Sequence, residues 1–254
     1  MQIVIIGSGN VASVLAKLIT LNNHQLLMIV GRNEQAVKSL AQKYNAPYSL
    51  SFNNIDQHAD IYLLAVSDHA VEEVIGKIKI PKDKLVVHTT GSLSKNILQK
   101  TSFQYGVLYP LQSIRKEIEQ LPQIPFFIDG NNQDAKNKIE AFAQTLSPLV
   151  SGANDEQRIK LHIAAVFVSN FTNFLFTVAE DFCSKENIEF QYLLPLMKET
   201  VMRLNDQSPK NVMTGPAIRK DTNTIEKHLQ ILEKYPDIKN LYRLLTEKIQ
   251  QNFV

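Results

Sequence analysis

The sequence predicts an α/β fold in which an N-terminal doubly wound parallel sheet is followed by an all-α C-terminal domain. Three observations carry this reading. Short apolar runs alternate with amphipathic stretches over residues 1–152. A glycine pair, Gly7 and Gly9, separates the first apolar run from the first helical pattern. After Asp155 only helical periodicity remains. Strands alternating with helices imply a parallel sheet covered on both faces.

The elements follow in order. QIVIIG is rich in β-branched residues and closed by Gly7, a buried-strand pattern. Residues 10–21 read as a helix. QLLMIVG is a second strand, and 34–44 is a helix with apolar Ala36, Val37, Leu40 and Ala41. DIYLLAVS is a third strand, followed by the helical HAVEEVIGKI, and KLVVHTTG is a fourth. FQYGVLYPL and IPFFIDG are two further strands, and 135–146 is another helix. Right-handed crossovers then bring the strand ends to one edge of the sheet. The pattern changes at SPLVSGAND, which places the boundary near Gly152 and the domains at 1–152 and 153–254. The second half reads as helices at 156–185, 190–205 with a kink at Pro195, 223–234 and 238–252. Asp221 or Asn223 can cap the third of these.

Composition bounds the function. Apolar residues make up 44% and charged residues 20%, as in ordinary globular proteins. A net charge of +2 without a polybasic stretch argues against a nucleic-acid partner. The single cysteine, Cys183, cannot pair internally, which fits a reducing compartment, and its place at the end of an apolar helical pattern fits an inert thiol. No charged region precedes the first apolar run, so no signal peptide is expected. The most apolar stretch, HIAAVFVSNFTNFLFTVA, contains Ser169, Asn170, Thr172, Asn173 and Thr177, too polar for a lipid-facing span. A cytoplasmic protein without membrane contact is expected.

The chemistry begins at Gly7-Ser8-Gly9-Asn10-Val11-Ala12, a G-x-G-x-x-A pattern between strand and helix. The first glycine suits a tight turn, the second a close approach to a pyrophosphate, and Ala12 the packing of helix on strand. A plain glycine turn is the simpler alternative, and the strand-turn-helix context favours a dinucleotide. Where NAD-binding chains place an acid at the end of the second strand, this one has Gly31-Arg32-Asn33. Arg32 suits a 2′-phosphate, so NADP(H) is expected over NAD; a solvated loop arginine is the alternative.

The long helical stretch carries His162, Ser169, Asn173 and Glu180 at helical spacing, which predicts one polar face through an apolar segment, with Asn170 beside it. Such a stripe lines a cavity or bonds to neighbouring helices. His88 at a strand end and His162 are both candidates for a proton-transfer group. Arg219, in TGPAIRKD, can grip a substrate carboxylate or phosphate, or stand as an exposed loop arginine. The six histidines show no ligand spacing, so no metal site is expected.

VGRNEQAVKSLA after IGSGNVA, then ADIYLLAVSDHAVEEV and VVHTTGSLS, resemble the 6-phosphogluconate dehydrogenase-like superfamily, near its pyrroline-5-carboxylate reductase and deazaflavin-dependent NADP oxidoreductase branches. GVLYPLQSI, AAVFVSNFTNFL and TGPAIRKDTNTIEKHL resemble a narrower bacterial family that joins such a Rossmann domain to a helical domain of unknown function. The resemblance implies an NADP-binding Rossmann domain, a dimerising helical domain and an active cleft between them. It implies that Gly7, Ser8, Gly9, Asn10 and Val11 hold the pyrophosphate and that Arg32 and Asn33 hold the 2′-phosphate end. Ala65, Val66 and Ser67 then border the ribose or nicotinamide, and His88, Thr89 and Gly91 lie near the nicotinamide. Catalysis would fall to His88, His162, Ser169 and Asn173, and substrate binding to Asn170 and Arg219. The catalytic Lys of the hydroxyacid dehydrogenases has no counterpart at its depth on the long helix. The expected function is an NADP(H)-dependent oxidoreductase acting on a small carbonyl or imine as a homodimer. A non-enzymatic NADP-binding sensor or scaffold is the alternative.

Overall fold

A computed structural model describes residues 1–117 and 120–253, which form two compact units, Met1–Asn170 and Phe171–Val254. The first unit contains β1 (Gln2–Ile6), α1 (Asn10–Leu21), β2 (Gln25–Val30), α2 (Glu34–Lys43), β3 (Tyr48–Ser49), β4 (Ile61–Leu64), α3 (Asp68–Ile75) and β5 (Leu85–His88). It continues with β6 (Gln104–Pro110), β7 (Phe126–Gly130), α4 (Gln133–Leu146), β8 (Val150–Gly152) and α5 (Asp155–Ala165). The strands form one sheet in the order β3-β2-β1-β4-β5-β6-β7-β8.

The period-2 alternation of β1 explains the layering. Ile3 and Ile5 face Leu15 and Ile19 of α1 and Phe142 of α4, whereas Val4 and Ile6 face Val71 and Val74 of α3. Both faces are covered, so β1 and β4 read as unbroken apolar runs. The chain runs outward from β1 to β3 and then returns to pair β4 with β1, which sets a switch point at the end of β1. Helix starts are fixed locally. Asn33 and Asn132 cap α2 and α4, and Asn154 with Gln157 forms a capping box on α5.

The sheet departs from the expected one in two ways. It has β3 and β8, two and three residues long, which are too short to show a period. It is also mixed, because β7 runs antiparallel to β6. Their connection holds no helix among the described residues, and an antiparallel pair needs no crossover. The last strand ends at Gly152, and the first compact unit continues through α5 to Asn170.

The helix expected over 156–185 is interrupted. After α5 the backbone makes a π-helical turn at Val166–Phe171 before α6 (Thr172–Lys185) begins. The second unit then holds α7 (Leu194–Met202), α8 (Thr222–Ile231) and α9 (Pro236–Phe253). The stretch expected at 190–205 is helical but not one α-helix, since 3₁₀ turns at Phe190–Leu193 and Arg203–Asn205 flank α7. Pro195 marks the start of α7 rather than a kink. It stands in the first turn of α7, where its missing N–H costs nothing. Asp221, not Asn223, caps α8. Cys183 is buried, and Tyr235 gathers Phe182 edge-on, Lys185 over its ring and Glu186 at its hydroxyl. Within Asp155–Lys185 one 18-residue window passes, by length and composition alone, for a segment able to cross a membrane.

Gly106 in β6 has no room for a side chain, since a β-carbon would lie 2.1 Å from the Asp129 carbonyl oxygen. Gly106→Ala is expected to destabilise the fold by about 3 kcal/mol, the upper range of overpacking. Urea denaturation measures this, and an unchanged midpoint would show that the β6–β7 pairing yields freely.

Candidate functional site

The ends of the parallel strands meet at one edge of the first unit. The Gly7 N–H donates to Val30 O at 2.7 Å, the Ala65 N–H to Ile6 O at 2.8 Å and the Thr89 N–H to Leu64 O at 3.2 Å. Gly7 has φ +134°, and a β-carbon there would lie 2.2 Å from the Ala65 carbonyl oxygen. Only glycine lets β1 turn this close to β4. Gly9 is the N-cap of α1 with no capping side chain, and a β-carbon on it would meet nothing within 4 Å. No side chain caps the first N–H groups of α1, and Asn10 and Val11 form its first turn. Ala12 is fully buried, as the close helix–strand packing requires.

On the β2 side, Asn33 accepts the Ala36 N–H as the cap of α2. Arg32 is exposed and its Nη1 donates to both oxygens of Glu73, at 3.1 and 2.8 Å. After β4, Ala65 is buried, Val66 half-buried and Ser67 exposed, its hydroxyl 3.2 Å from His69 Nε2.

The β5 side is built around buried polar groups. Arg158 of α5 has a side chain only 1% exposed. Its Nη2 donates to Leu93 O and, at 2.8 Å, to Asp155 Oδ1. Burial pushes the Asp155 carboxyl up, but hydrogen bonds from Ser94, Arg158 and the Lys95 N–H hold it below the ordinary range. His88 is fully buried, with the Thr90 N–H donating to its Nδ1 at 3.3 Å. Burial first, and the Arg158 charge second, lower its pKa to about 4, so the ring is neutral. His88 Nε2 and Arg158 Nε and Nη1 are buried without a protein partner.

A cavity of about 500 Å³ lies beside the ends of β6 and α5. Its polar lining includes Tyr109, Gln112, Ser113, His162, Ser169 and Asn170. Tyr109 hydroxyl and His162 Nδ1 are 3.0 Å apart, their rings edge to face at 6.2 Å. Burial, and then the Asp68 charge, raise the tyrosine pKa, with Arg158 opposing. Gly91 makes room for the phenol, since a β-carbon there would lie 2.9 Å from Tyr109 Cζ.

The structure thus brings His162, Ser169 and Asn170 to one cavity. The π-turn, not a straight helix, carries Ser169 and Asn170 there, and such turns recur at functional sites. His88 does not line that cavity. Asn173 and Arg219 belong to the second unit. Asn173 accepts the Thr177 hydroxyl at its carbonyl, and Arg219 is exposed in the turn after Gly215. Tyr109, Arg158 and Glu73 carry no motif. The signal for Tyr109 was its place at the end of the strand next to that of His88. No group of three or more metal-ligating side chains occurs among the described residues.

Residues 2–91 match the family described as NADP oxidoreductase, coenzyme F420-dependent, and residues 124–249 match a Domain of unknown function (DUF2520). A crystal structure of a candidate NADP oxidoreductase from Bacteroides fragilis is 37% identical, with a TM-score of 0.92 over 99% of this chain and 98% of that one. A pyrroline-5-carboxylate reductase from Streptococcus pyogenes is similar in fold, at 15% identity and a TM-score of 0.67 over 99% and 98% of the two chains. An imine reductase from Myxococcus stipitatus, in complex with NADP+, has 15% identity and a TM-score of 0.66 over 99% and 92%. No curated protein matches the chain.

The buried imidazole gives a pH signature. Its folded pKa of about 4 lies below the ordinary 6.5, so the unfolded chain takes up the proton first as pH falls. The stability linked to His88 is complete above pH 6.5 and is lost as pH falls toward 4, by about 3 kcal/mol in all. His88→Asn should flatten that part of the pH dependence in urea denaturation at pH 7 and 4.5. Identical slopes for variant and wild type would show that His88 is not held neutral.

Proposed function

Because the chain belongs to the family that joins an NADP oxidoreductase, coenzyme F420-dependent, domain to DUF2520, we propose that it is an NADP(H)-dependent oxidoreductase acting on a small carbonyl or imine. The observation that carries the proposal is the open cavity beside the β6 end, with a tyrosine–histidine pair in its wall. A sensor or scaffold would have no need of a proton-bearing pair in an open pocket.

The residues present fit the cofactor. Gly7 and Gly9 leave backbone room at the uncapped N-terminus of α1, which suits a pyrophosphate, with Ser8, Asn10 and Val11 around it. Arg32 and Asn33 suit the 2′-phosphate end, Ala65, Val66 and Ser67 the middle, and Thr89 and Gly91 the nicotinamide end. NADP(H) supplies or accepts a hydride at its nicotinamide ring.

This chain's part is to hold the substrate and move a proton. Burial keeps the Tyr109 phenol protonated, so it can donate from its hydroxyl to the carbonyl oxygen or imine nitrogen. His162, exposed to solvent, can return a proton from Nδ1 to the tyrosine oxygen. Ser169 and Asn170 orient the substrate, and Arg219 presents a guanidinium suited to an anionic group. A homodimer is part of the proposal. Phe174, Leu196, Val201 and Met202 of the second unit are more than half exposed, an apolar surface that fits a protein interface.

Purified protein and NADPH should turn over members of a panel of ketones, aldehydes and cyclic imines. Tyr109→Phe should lower kcat on a ketone by about 100-fold or more, with NADPH affinity unchanged. An N-alkylated iminium ion needs no proton, so the variant should reduce it as the wild type does. A ketone rate untouched by the substitution would remove Tyr109 from the proton step. Tight NADPH binding with no turnover across the panel would favour the scaffold reading. Light scattering should give a dimer mass, and a monomer would overturn that part of the proposal.

A further inference from the structure

Arg32, the residue suited to a 2′-phosphate, already has an anionic partner. Both Glu73 oxygens accept from its Nη1, and Lys77 Nζ, one helical turn on, donates to Glu73 Oε1 at 2.6 Å. A cavity of about 530 Å³ opens beside this cluster, with Arg32, Lys77, Lys79, Ser51 and Asn53 in its wall and no carboxylate lining it. Residues 50–53 follow β3 as Arg32 follows β2, so both stand at the sheet edge where the strands end.

We infer that Glu73 is a displaceable latch on Arg32 that limits how strongly this end favours NADP(H) over NAD(H), and that Ser51, Asn53, Lys77 and Lys79 complete the phosphate site. The inference rests on the NADP(H) reading above. The Lys77 hydrogen bond, and then the Arg32 charge, hold the Glu73 carboxyl below its ordinary range, so it is ionised at neutral pH. The Arg32 and Glu73 side chains are 58% and 42% exposed, and so open a pair is weak and exchanges readily. A phosphate offers the guanidinium fork a better-matched, more highly charged partner. Its arrival frees Glu73, and Lys77 remains in place to neutralise the released carboxylate. An unphosphorylated ribose has nothing to exchange for the ion pair and gains nothing from Arg32. The latch therefore works against the phosphorylated dinucleotide alone, and its removal helps that one alone.

The test is calorimetric titration of wild type, Glu73→Gln and Lys77→Gln with NADPH and NADH. Adenosine 2′,5′-bisphosphate and AMP isolate the same end of the dinucleotide. Glu73→Gln should tighten NADPH and the bisphosphate by about 3- to 5-fold while NADH and AMP stay within about 2-fold. Lys77→Gln should weaken NADPH by a similar factor, and the Glu73→Gln gain should shrink at high salt. Both residues are exposed, and circular dichroism checks that the variants fold. If wild type prefers NADPH and Glu73→Gln changes neither affinity, or tightens both equally, the latch is overturned and the NADP(H) reading stands. If wild type binds NADH as tightly as NADPH, or binds neither, both fall together.

Discussion

Arg158 places a guanidinium, 1% exposed, beneath the loop that follows β5. A buried cation is tolerated only with a close counter-charge and hydrogen bonds to its fork. Asp155 supplies the charge and the Leu93 carbonyl an acceptor, so one side chain ties the start of α5 to the loop of residues 89–95. Asp155 spends its remaining capacity on Ser94 and the Lys95 N–H, and Lys95 reaches Asp129 of β7. Burial first, and the same positive charge second, keep His88 neutral. The cavity wall inherits this order. Tyr109 rests on Gly91 of the tied loop, and His162 lies one turn beyond Arg158 on the tied helix.

The division of labour along the sheet edge follows from its topology. At the switch point the backbone of Gly7 passes so close to Ala65 that no side chain can stand there. To one side, beyond β2, the groups are exposed and paired by charge, with Arg32, Glu73 and Lys77 in water. To the other, beyond β5, they are buried and paired by hydrogen bonds. Exposed charges exchange partners cheaply, and buried ones hardly at all. One end of the edge suits reversible recognition and the other fixed positioning.

Much of this was legible in the chain. The runs QIVIIG, DIYLLAVS and KLVVHTTG are buried on both faces, so each announces a strand without ambiguity. The glycine pattern is legible because Gly7 answers a steric demand that no other residue meets. What was not legible depends on distance. Arg32 and Glu73 are 41 positions apart, and Leu93 and Arg158 are 65 apart, so no spacing rule joins them. The reversal of β7 is a property of pairing, since IPFFIDG reads the same in either direction. The π-turn escaped because a helical projection assumes 3.6 residues per turn throughout, and VFVSNF has nothing in composition to mark an exception.

Gly91 and Tyr109 share one volume, since the space a β-carbon would need is filled by the phenol tip. Packing this close behaves as a two-body contact with little slack. Whatever displaces the loop of residues 89–95 must therefore re-aim the phenol, and whatever holds the phenol must steady the loop. Two ligands that touched only one of these elements each would still feel one another, with equal coupling in both directions. A single missing methyl group is enough to link the loop after β5 and the phenol of β6 thermodynamically.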